Sequence, residues 1–452
     1  MSLYRPGLRR ISFLFLSLIA MTLAACAQPI LPAHGQTISP DPVVRWIQHH
    51  AISLRTTNPG GSDADLAPLK QIAASASIVG LGEETHGTHE FITMKARLAE
   101  FLISKMGFTT FVMENGWGDS KLIDAYINGG PGKITDVMAR NLYGSWQTEE
   151  YRDLLEWMRA YNADPAHTTK IHFLGMDMQD LNQNDLAAVE NYLRKVDPGQ
   201  VATVQELYAP LLAISGPGAY DKLAQVSASD KQRYQDQAQR VYDLLQTSQE
   251  EYTRRSSSQE FAFALQNARI VTQFATYNNA NTDDESLTRY FQRDGFMAEN
   301  VAWIHDHAAG SNPKVIVWAH DAHIANDTYY GSQDGRNMGG ELRASYGDGY
   351  LAIGTTLYRG AFRSYTSFTG TVQKINPPAS DTYNYTLGQA GLPVYMLDLR
   401  QLPAGPVSNW ANNFAPFLEY GLAGEDLSSP AALGQLFDVI VHIQDTTPSI
   451  HF

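Results

Sequence analysis

Histidines and acidic residues follow four short apolar runs of this sequence. An imidazole beside a carboxylate is the combination that activates water as a nucleophile, so these positions are candidates for hydrolytic chemistry. In chain order the groups are Glu83, Glu84 and His86, then Glu114, then Asp177 and Gln179, and finally His320, Asp321 and His323.

Each apolar run has the length and composition of a buried strand. Between the first two runs, apolar residues recur at helical spacing from Phe91 to Met106, and Gly107 closes the helix. This strand–helix–strand order predicts parallel strands and an α/β fold with a mostly parallel central sheet flanked by helices. The predicted strands are Ser77–Gly82, Thr109–Met113, Lys170–Met176, Lys314–Ala319, Tyr350–Leu357, Val394–Leu399 and Phe437–Ile443.

Residues of about 183–310 differ from the rest of the chain. They are rich in Gln, Glu, Lys, Arg, Leu and Ala, and the stretch Lys231–Tyr252 contains neither Pro nor Gly. This composition predicts a helical subdomain inserted between two strands of one α/β domain that covers residues 43–452. Because open α/β sheets bind ligands at the carboxyl ends of their strands, the four polar groups should meet in one cleft.

Simpler interpretations exist for each group. Glu83 and Glu84 could merely favour the start of the following helix, and His86 could be a loop histidine. His320 and His323 form an H-x-x-H pattern that suggests a metal, although two residues at that spacing after a strand need not share a face. The sequence contains no G-x-S-x-G, Walker A or H-E-x-x-H motif, so a serine nucleophile and a nucleotide phosphate site are unsupported.

Composition and charge exclude several kinds of partner and site. The chain has 452 residues and a formal net charge of −14, which disfavours a nucleic acid partner. Its single cysteine excludes an internal disulfide framework and a cysteine-rich zinc site.

The N-terminus has the pattern of an export signal. Arg5, Arg9 and Arg10 precede an apolar run that is short for a membrane span. The sequence Leu-Ala-Ala-Cys that ends at Cys26 resembles the lipobox of bacterial lipoproteins. We therefore predict a lipoprotein signal peptide over 1–25, lipidation of Cys26, a tether over 26–42, and an exported protein anchored to a membrane, facing the periplasm or the cell exterior. An ordinary secretory signal is the alternative.

Several segments together resemble the erythromycin esterase family. They occur in order over residues of about 45–445, and the first of them, GEETHGTHEF, is the most specific. The segments are GEETHGTHEF (82–91), GFTTFVMEN (107–115), GSWQTEEYRDLLEWMRAYN (144–162), GMDMQ (175–179), RDGFMAENVAWI (293–304), VWAHDAHI (317–324) and MGGELRASYGDGY (338–350).

The resemblance implies a hydrolase that opens a carboxylic ester or macrolactone by attack of water, without a cofactor and without a covalent protein intermediate. It implies that His86 is the general base, that Glu83 orients it, and that Glu114, His320 and His323 complete the catalytic site. We further predict contacts with the small-molecule substrate from Lys95, Glu84, Asp177 and Arg293.

Two positions depart from the family pattern. Lys95 stands where other members carry Arg, and Lys cannot make a planar bidentate contact. Asp321 stands where the family usually has Asn, and a carboxylate close to His320 and His323 would raise their pKa values. Two other functions stay open from the sequence: a metal-dependent hydrolase with histidine ligands, and a lipoprotein that binds haem or another hydrophobic ligand without catalysis.

Overall fold

The computed structural model describes residues 41–279, 287–308, 310–327, 335–365 and 370–452. The predicted signal peptide, Cys26 and the tether up to residue 40 lie outside these ranges and stay predictions. The first described helix begins at Pro42, where the side chain of Asp41 accepts the Val43 N–H at 2.7 Å. Of the helices in the described ranges, none combines the length and the apolar composition that crossing a membrane would require.

In the described ranges, nine strands form the central sheet in the order β1-β8-β11-β6-β2-β5-β3-β4, with β7 paired to the far half of β6. The strands from β11 to β4 in this order run parallel, whereas β8 is antiparallel to β11. This confirms the predicted mostly parallel α/β architecture. The strands are β1 (Ile52–Ser53), β2 (Ile78–Leu81), β3 (Thr110–Gly116), β4 (His172–Asp177), β5 (Val315–Trp318), β6 (Tyr350–Ser364), β7 (Thr371–Ile375), β8 (Val394–Asp398), β9 (Ala415–Phe417), β10 (Ser429–Ala431) and β11 (Val439–Thr446), of which β9 and β10 form a separate antiparallel pair.

Helices cover both faces of this sheet. The helix predicted after the first strand is α3, and it ends at Gly107, whose φ of 77° suits glycine. The helices are α1 (Pro42–His50), α2 (Leu69–Ile72), α3 (His89–Met106), α4 (Trp117–Ile127), α5 (Ile134–Asn141), α6 (Glu149–Ala163), α7 (Gln183–Val196), α8 (Val201–Ile214), α9 (Ala219–Ala224), α10 (Ala228–Thr247), α11 (Gln249–Arg255), α12 (Ser258–Asn279), α13 (Leu287–His307), α14 (Asp321–Ile324), α15 (Met338–Tyr346), α16 (Tyr383–Gly388), α17 (Pro406–Asn412) and α18 (Leu433–Leu436).

Alternate residues of the strands pack into two different apolar clusters, as the two-residue period of a strand requires. In β3, for example, Phe111 and Met113 pack on one face with α3 and α6, whereas Val112 packs on the other with α13 and α15. A third cluster joins α7, α8, α10 and α12 within residues 181–275. Helix α13 carries Met297 and Val301 into the second cluster, so it packs on the sheet although it lies within the predicted insert.

The strands that precede the four polar groups end level with one another. Leu81 pairs with Trp318, Trp318 with Met113, and Met113 with Gly175 across the parallel ladders. The residues that follow this row therefore leave the sheet at the same edge. This confirms the parallel arrangement on which convergence of the groups depends.

Strand β6 is longer than the sequence predicted, because it continues from Leu357 to Ser364. The prediction ended at Leu357, two residues before the exposed Arg359. The extension alternates in burial and pairs with β7, from Gly360 opposite Ile375 to Ser364 opposite Thr371.

Candidate active site

A cleft of about 530 Å³ opens at the carboxyl edge of the parallel strands. Five of the nine predicted catalytic and substrate-binding residues line it, namely His86, Glu114, Arg293, His320 and His323. Aromatic side chains form much of the remaining wall, among them Tyr143, Trp146, Tyr220, Tyr290 and Tyr365.

A buried ion pair between Glu83 and Lys95 positions His86. Its Nδ1 lies 2.9 Å from Oε1 of Glu83, which is fully buried. The other oxygen of Glu83 accepts a hydrogen bond from Lys95, which also donates to the Ala319 carbonyl at 3.1 Å. Burial lowers the pKa of Lys95, while the charge of Glu83 opposes that shift. Glu83 therefore fixes the orientation of the His86 ring and favours the tautomer with its proton on Nδ1.

Two rings fix the position of His86 on the cleft wall. Trp146 meets it edge to face with centroids 4.7 Å apart, and the centroid of His320 lies 4.8 Å away. The indole N–H of Trp146 donates to the Glu114 carbonyl at 3.1 Å, which ties this ring to the end of β3. Trp146 lies within one of the family segments, but its residue type alone indicated no contact with His86.

Arg293 bridges two strand ends. It donates to Asp177 from Nε at 3.2 Å and from Nη2 at 2.6 Å, and Nη2 also donates to Glu114 Oε1 at 2.9 Å. The other oxygen of Glu114 accepts the backbone N–H of His320 at 3.1 Å. Burial would raise the pKa of Glu114, but the charges of His323 and Arg293 outweigh burial and hold it well below 4.5. Glu114 is therefore a carboxylate, held between cations.

His323 lies between two carboxylates. Its Nδ1 is 2.7 Å from Oδ1 of Asp294, and its Nε2 is 3.3 Å from Oε1 of Glu114. Burial lowers the pKa of His323, but the charges of Asp294 and Glu114 outweigh it and raise the value to about 10. The sequence analysis did not single out Asp294, although it belongs to the family segment that begins at Arg293.

His320 has a similar environment. Its Nδ1 lies 2.7 Å from Oε1 of Glu419, and its Nε2 lies 3.2 Å from the Tyr420 carbonyl. Burial lowers the pKa of His320, but the fully buried Glu419 carboxylate is the main group that opposes this, and the value rises to about 9. An oxygen lies beside each ring nitrogen, and the Ala322 N–H also lies 3.4 Å from Nδ1. No sequence pattern indicated Glu419.

Replacing Glu419 with Gln is expected to lower the pKa of His320 below about 9, because the variant loses the charge that opposes burial. A histidine whose pKa is raised on folding stabilises the protein below about pH 6.5, and this contribution is lost as the pH rises through the folded value. The wild type should therefore lose stability towards pH 9 more steeply than Glu419→Gln. Histidine NMR titration and urea unfolding at several pH values measure the two effects.

Glu425→Gln is the matched control, since Glu425 lines the same cleft and is exposed. It should leave the midpoint of the His320 titration unchanged. An unchanged midpoint in Glu419→Gln would show that Glu419 does not set the charge of His320.

Three of the predicted substrate-binding residues do not line the cleft. Lys95 is buried in the core and donates a hydrogen bond to Glu83. Asp177 accepts hydrogen bonds from Arg293. Glu84 is fully buried and accepts the Leu357 N–H at 2.9 Å. Burial, together with nearby carboxylates, raises its pKa well above 4.5. Direct contact of these side chains with substrate is therefore not supported. Arg293 does reach the cleft.

Asp321 is also buried away from the cleft. Its carboxyl group accepts the Thr355 N–H at 3.2 Å and occupies the space that a Cβ on Gly82 would need. Burial and the charge of Glu419 raise the pKa of Asp321 well above 3.8. The charge of Asp321 does raise the pKa of His320, as the sequence suggested, but Glu419 raises it more.

The three cleft histidines each face a different carboxylate. Glu83 faces His86, Glu419 faces His320, and Asp294 faces His323. Over the ranges that the structure covers, no group of three or more His, Cys, Asp or Glu side chains is arranged to hold a metal ion. The geometry thus gives the metal-dependent alternative no set of convergent ligands.

Several known proteins are similar to this chain. The chain is 32% identical to a Bacillus cereus protein of known crystal structure, with a TM-score of 0.82 over 91% of this chain and 98% of that one. It is 23% identical to the putative hydrolase YbfO of Bacillus subtilis over 90% of this chain and 91% of that one. It is 27% identical to the erythromycin esterase type II of Escherichia coli over 70% of this chain and 77% of that one.

One protein-family model matches most of the chain. The erythromycin esterase family model matches residues 103–446, and this range includes Glu114, Arg293, His320 and His323. His86 precedes the matched range, but the similarity to YbfO extends over so much of the chain that it includes the His86 segment. The chain therefore belongs to the erythromycin esterase family and is a hydrolase.

Proposed function

We propose that the protein hydrolyses a carboxylic ester or macrolactone, with His86 as the general base that activates water. The observation that carries this proposal is the position of His86 on the cleft wall with Nδ1 held by Glu83. With the proton on Nδ1, the lone pair of Nε2 can take a proton from water. Glu83 also stabilises the positive charge that His86 then gains.

The remaining cations suit the charge that develops on the substrate. Attack of water on an ester carbonyl produces a tetrahedral oxyanion, and fixed positive groups in a site of low dielectric stabilise it. His320 lies beside His86, and Arg293 and His323 also line the cleft. These cations are held by carboxylates, so in this proposal they act through their field without being reoriented during the reaction.

Collapse of the oxyanion completes the proposed reaction. The bond between the carbonyl carbon and the alkoxy oxygen breaks, and the alkoxide takes the proton that His86 gained from water. The products are an alcohol and a carboxylic acid, which releases its proton to solvent, or one hydroxy acid from a lactone. No covalent bond to the protein is required. The cleft volume lies within the range of small-molecule sites, and its aromatic wall suits a substrate with apolar surface.

A panel of esters and lactones that includes 14- and 16-membered macrolides tests the proposal. The mature protein should hydrolyse at least one member, and activity should survive dialysis against a chelator. His86→Ala should lose this activity, whereas His50→Ala should retain it, because His50 is an exposed residue of α1. Hydrolysis at an equal rate by His86→Ala would contradict the proposal. So would the absence of turnover by the wild type across the panel.

A further inference from the structure

A second cavity of about 300 Å³ lies beside the edge strand β4, between α4, α12 and α13. Over the described ranges, it shares no lining residue with the catalytic cleft. Helix α13 contributes to both, with Arg293 at the cleft and Trp303 at the cavity. At the rise of an α-helix, these two residues are about 15 Å apart along the axis. The cavity is therefore a separate feature of the fold.

Aromatic rings form the walls of this cavity. Trp303 meets Trp117 with ring centroids 5.6 Å apart and meets Phe263 at 5.0 Å, both edge to face. His307 stacks on Trp303 with centroids 4.1 Å apart and planes 12° apart. These contacts hold the rings in place, so the cavity is already formed without a ligand. Preformed apolar cavities with a few polar groups are typical of small-molecule sites.

One amine adds positive charge to these walls. Lys121 lines the cavity, and its Nζ donates a hydrogen bond to Oδ1 of Asn267, a neutral amide. The same oxygen accepts the indole N–H of Trp117 at 2.9 Å, and the amide nitrogen of Asn267 donates to the Phe263 carbonyl at 2.7 Å. Asn267 is thus held in place by hydrogen bonds to Trp117 and Phe263, both of which line the cavity. A lysine amine has three donors, so Lys121 can bond to a further acceptor.

The acid at the rim, Asp124, contacts two neighbouring residues that line the same cavity. Asp124 accepts the backbone N–H of Phe173 at 2.8 Å and lies 3.4 Å from Nδ1 of His172. The side-chain hydrogen bond to Asp124 raises the pKa of His172, although partial burial opposes it. The rim charge is therefore largely compensated. The Lys121 amine donates its hydrogen bond to a neutral amide; burial lowers the pKa of Lys121, and the charge of Asp185 opposes that shift.

We propose that this cavity binds a flat aromatic carboxylate. The ring of the ligand contacts Trp117, Phe263 and Trp303, and its carboxylate accepts a hydrogen bond from Lys121. The aromatic wall provides ring contacts of the kind that stabilise aromatic pairs. The ammonium provides a charge-assisted bond that a neutral ligand of the same shape does not form.

Calorimetric titration with 2-naphthoate, and with 2-naphthamide as the neutral counterpart, tests the proposal. The wild type is expected to bind 2-naphthoate with a Kd of about 0.1 mM, as suits a ligand of this size. It should bind 2-naphthamide about tenfold more weakly, because the charge-assisted bond is lost. Lys121→Met should remove the difference between the two compounds, and Phe263→Ala should weaken the binding of both.

His86→Ala is the control for binding in the catalytic cleft, and it should bind 2-naphthoate as the wild type does. Thermal unfolding of each variant checks that it is folded, and if Lys121→Met is not, Lys121→Gln replaces it. Equal affinity of the wild type for the two compounds would overturn the proposal. So would a titration in which the wild type binds neither compound. Loss of 2-naphthoate binding in His86→Ala would place the ligand in the cleft and also overturn it. Ester hydrolysis is not measured, so the result is independent of the proposed function.

Discussion

His86→Ala is expected to lower kcat for the best ester or lactone substrate by about 10²–10⁴-fold, the range that general acid–base catalysis contributes. The variant retains Glu83, Lys95 and the cationic wall of the cleft, but no imidazole remains to take the proton from water. KM should change little, because His86 acts on water and not on the bound substrate. Steady-state kinetics on the wild type and the variant measure both parameters.

The pH profile tests the cationic wall of the cleft. In alkali, His320 loses its proton as the pH passes about 9, and the positive field at the oxyanion weakens. The kcat/KM of the wild type should therefore decline towards high pH. Steady-state kinetics at several pH values measure this decline.

Glu83→Gln tests the role of Glu83 in orienting His86 separately from the proton transfer that His86 performs. It removes the charge that faces both His86 and Lys95, so kcat should fall although the imidazole is still present. Glu425→Gln, on the same cleft, serves as the control for a general change in charge. If His86→Ala kept the wild-type kcat, another group would have to be the base.

The sequence was sufficient to predict which strand ends meet. The four apolar runs are short and continuous, so their identity as buried parallel strands follows from composition and from the helices between them. Once Leu81, Met113, Gly175 and Trp318 lie in one row, the polar residues that follow must share an edge. That step needs only local patterns and the rule for parallel connections.

The sequence could not predict which way each polar side chain points at that edge. Glu83 and Glu84 are adjacent, yet Glu83 faces His86 and Glu84 faces the backbone of β6. Glu419 lies beside His320 from a distant loop, and Asp294 lies beside His323 from helix α13. Asp294 stands in a family segment, but nothing in the sequence shows which histidine either acid will face. Such partners depend on tertiary packing, which a single sequence does not reveal.

Arg293→Met is expected to reduce the free energy of unfolding by about 3–5 kcal/mol at pH 7, as happens when one partner of a buried ion pair is removed. Asp177 is fully buried and Glu114 nearly so, and the arginine donates to both. Methionine keeps much of the volume but leaves both carboxylates without this cation. Urea unfolding followed by circular dichroism measures the change.

Two other arginine variants test whether the loss of stability comes from the lost ion pairs. Arg293→Lys keeps the charge but loses the planar fork that bonds to both carboxylates, so its loss should be smaller than that of Arg293→Met. Arg289→Met removes an arginine one turn earlier on α13, where it stacks on Tyr220 and Tyr277 at 5.1 and 4.7 Å. It should cost about 1 kcal/mol, the value of a partly buried cation–π contact.

Acid should reduce the difference between Arg293→Met and the wild type. The folded-state pKa of Glu114 is depressed, so the stabilisation that the carboxylate provides is present above its unfolded value of about 4.3 and is lost as the pH falls through the folded value. Without Arg293 one cause of that depression is removed, and the variant loses less on acidification. A difference that stays constant as the pH falls from 7 to well below 4.3 would assign the effect to lost packing. A loss at pH 7 no larger than that of Arg289→Met would show that Arg293 does not hold the strand ends together by charge.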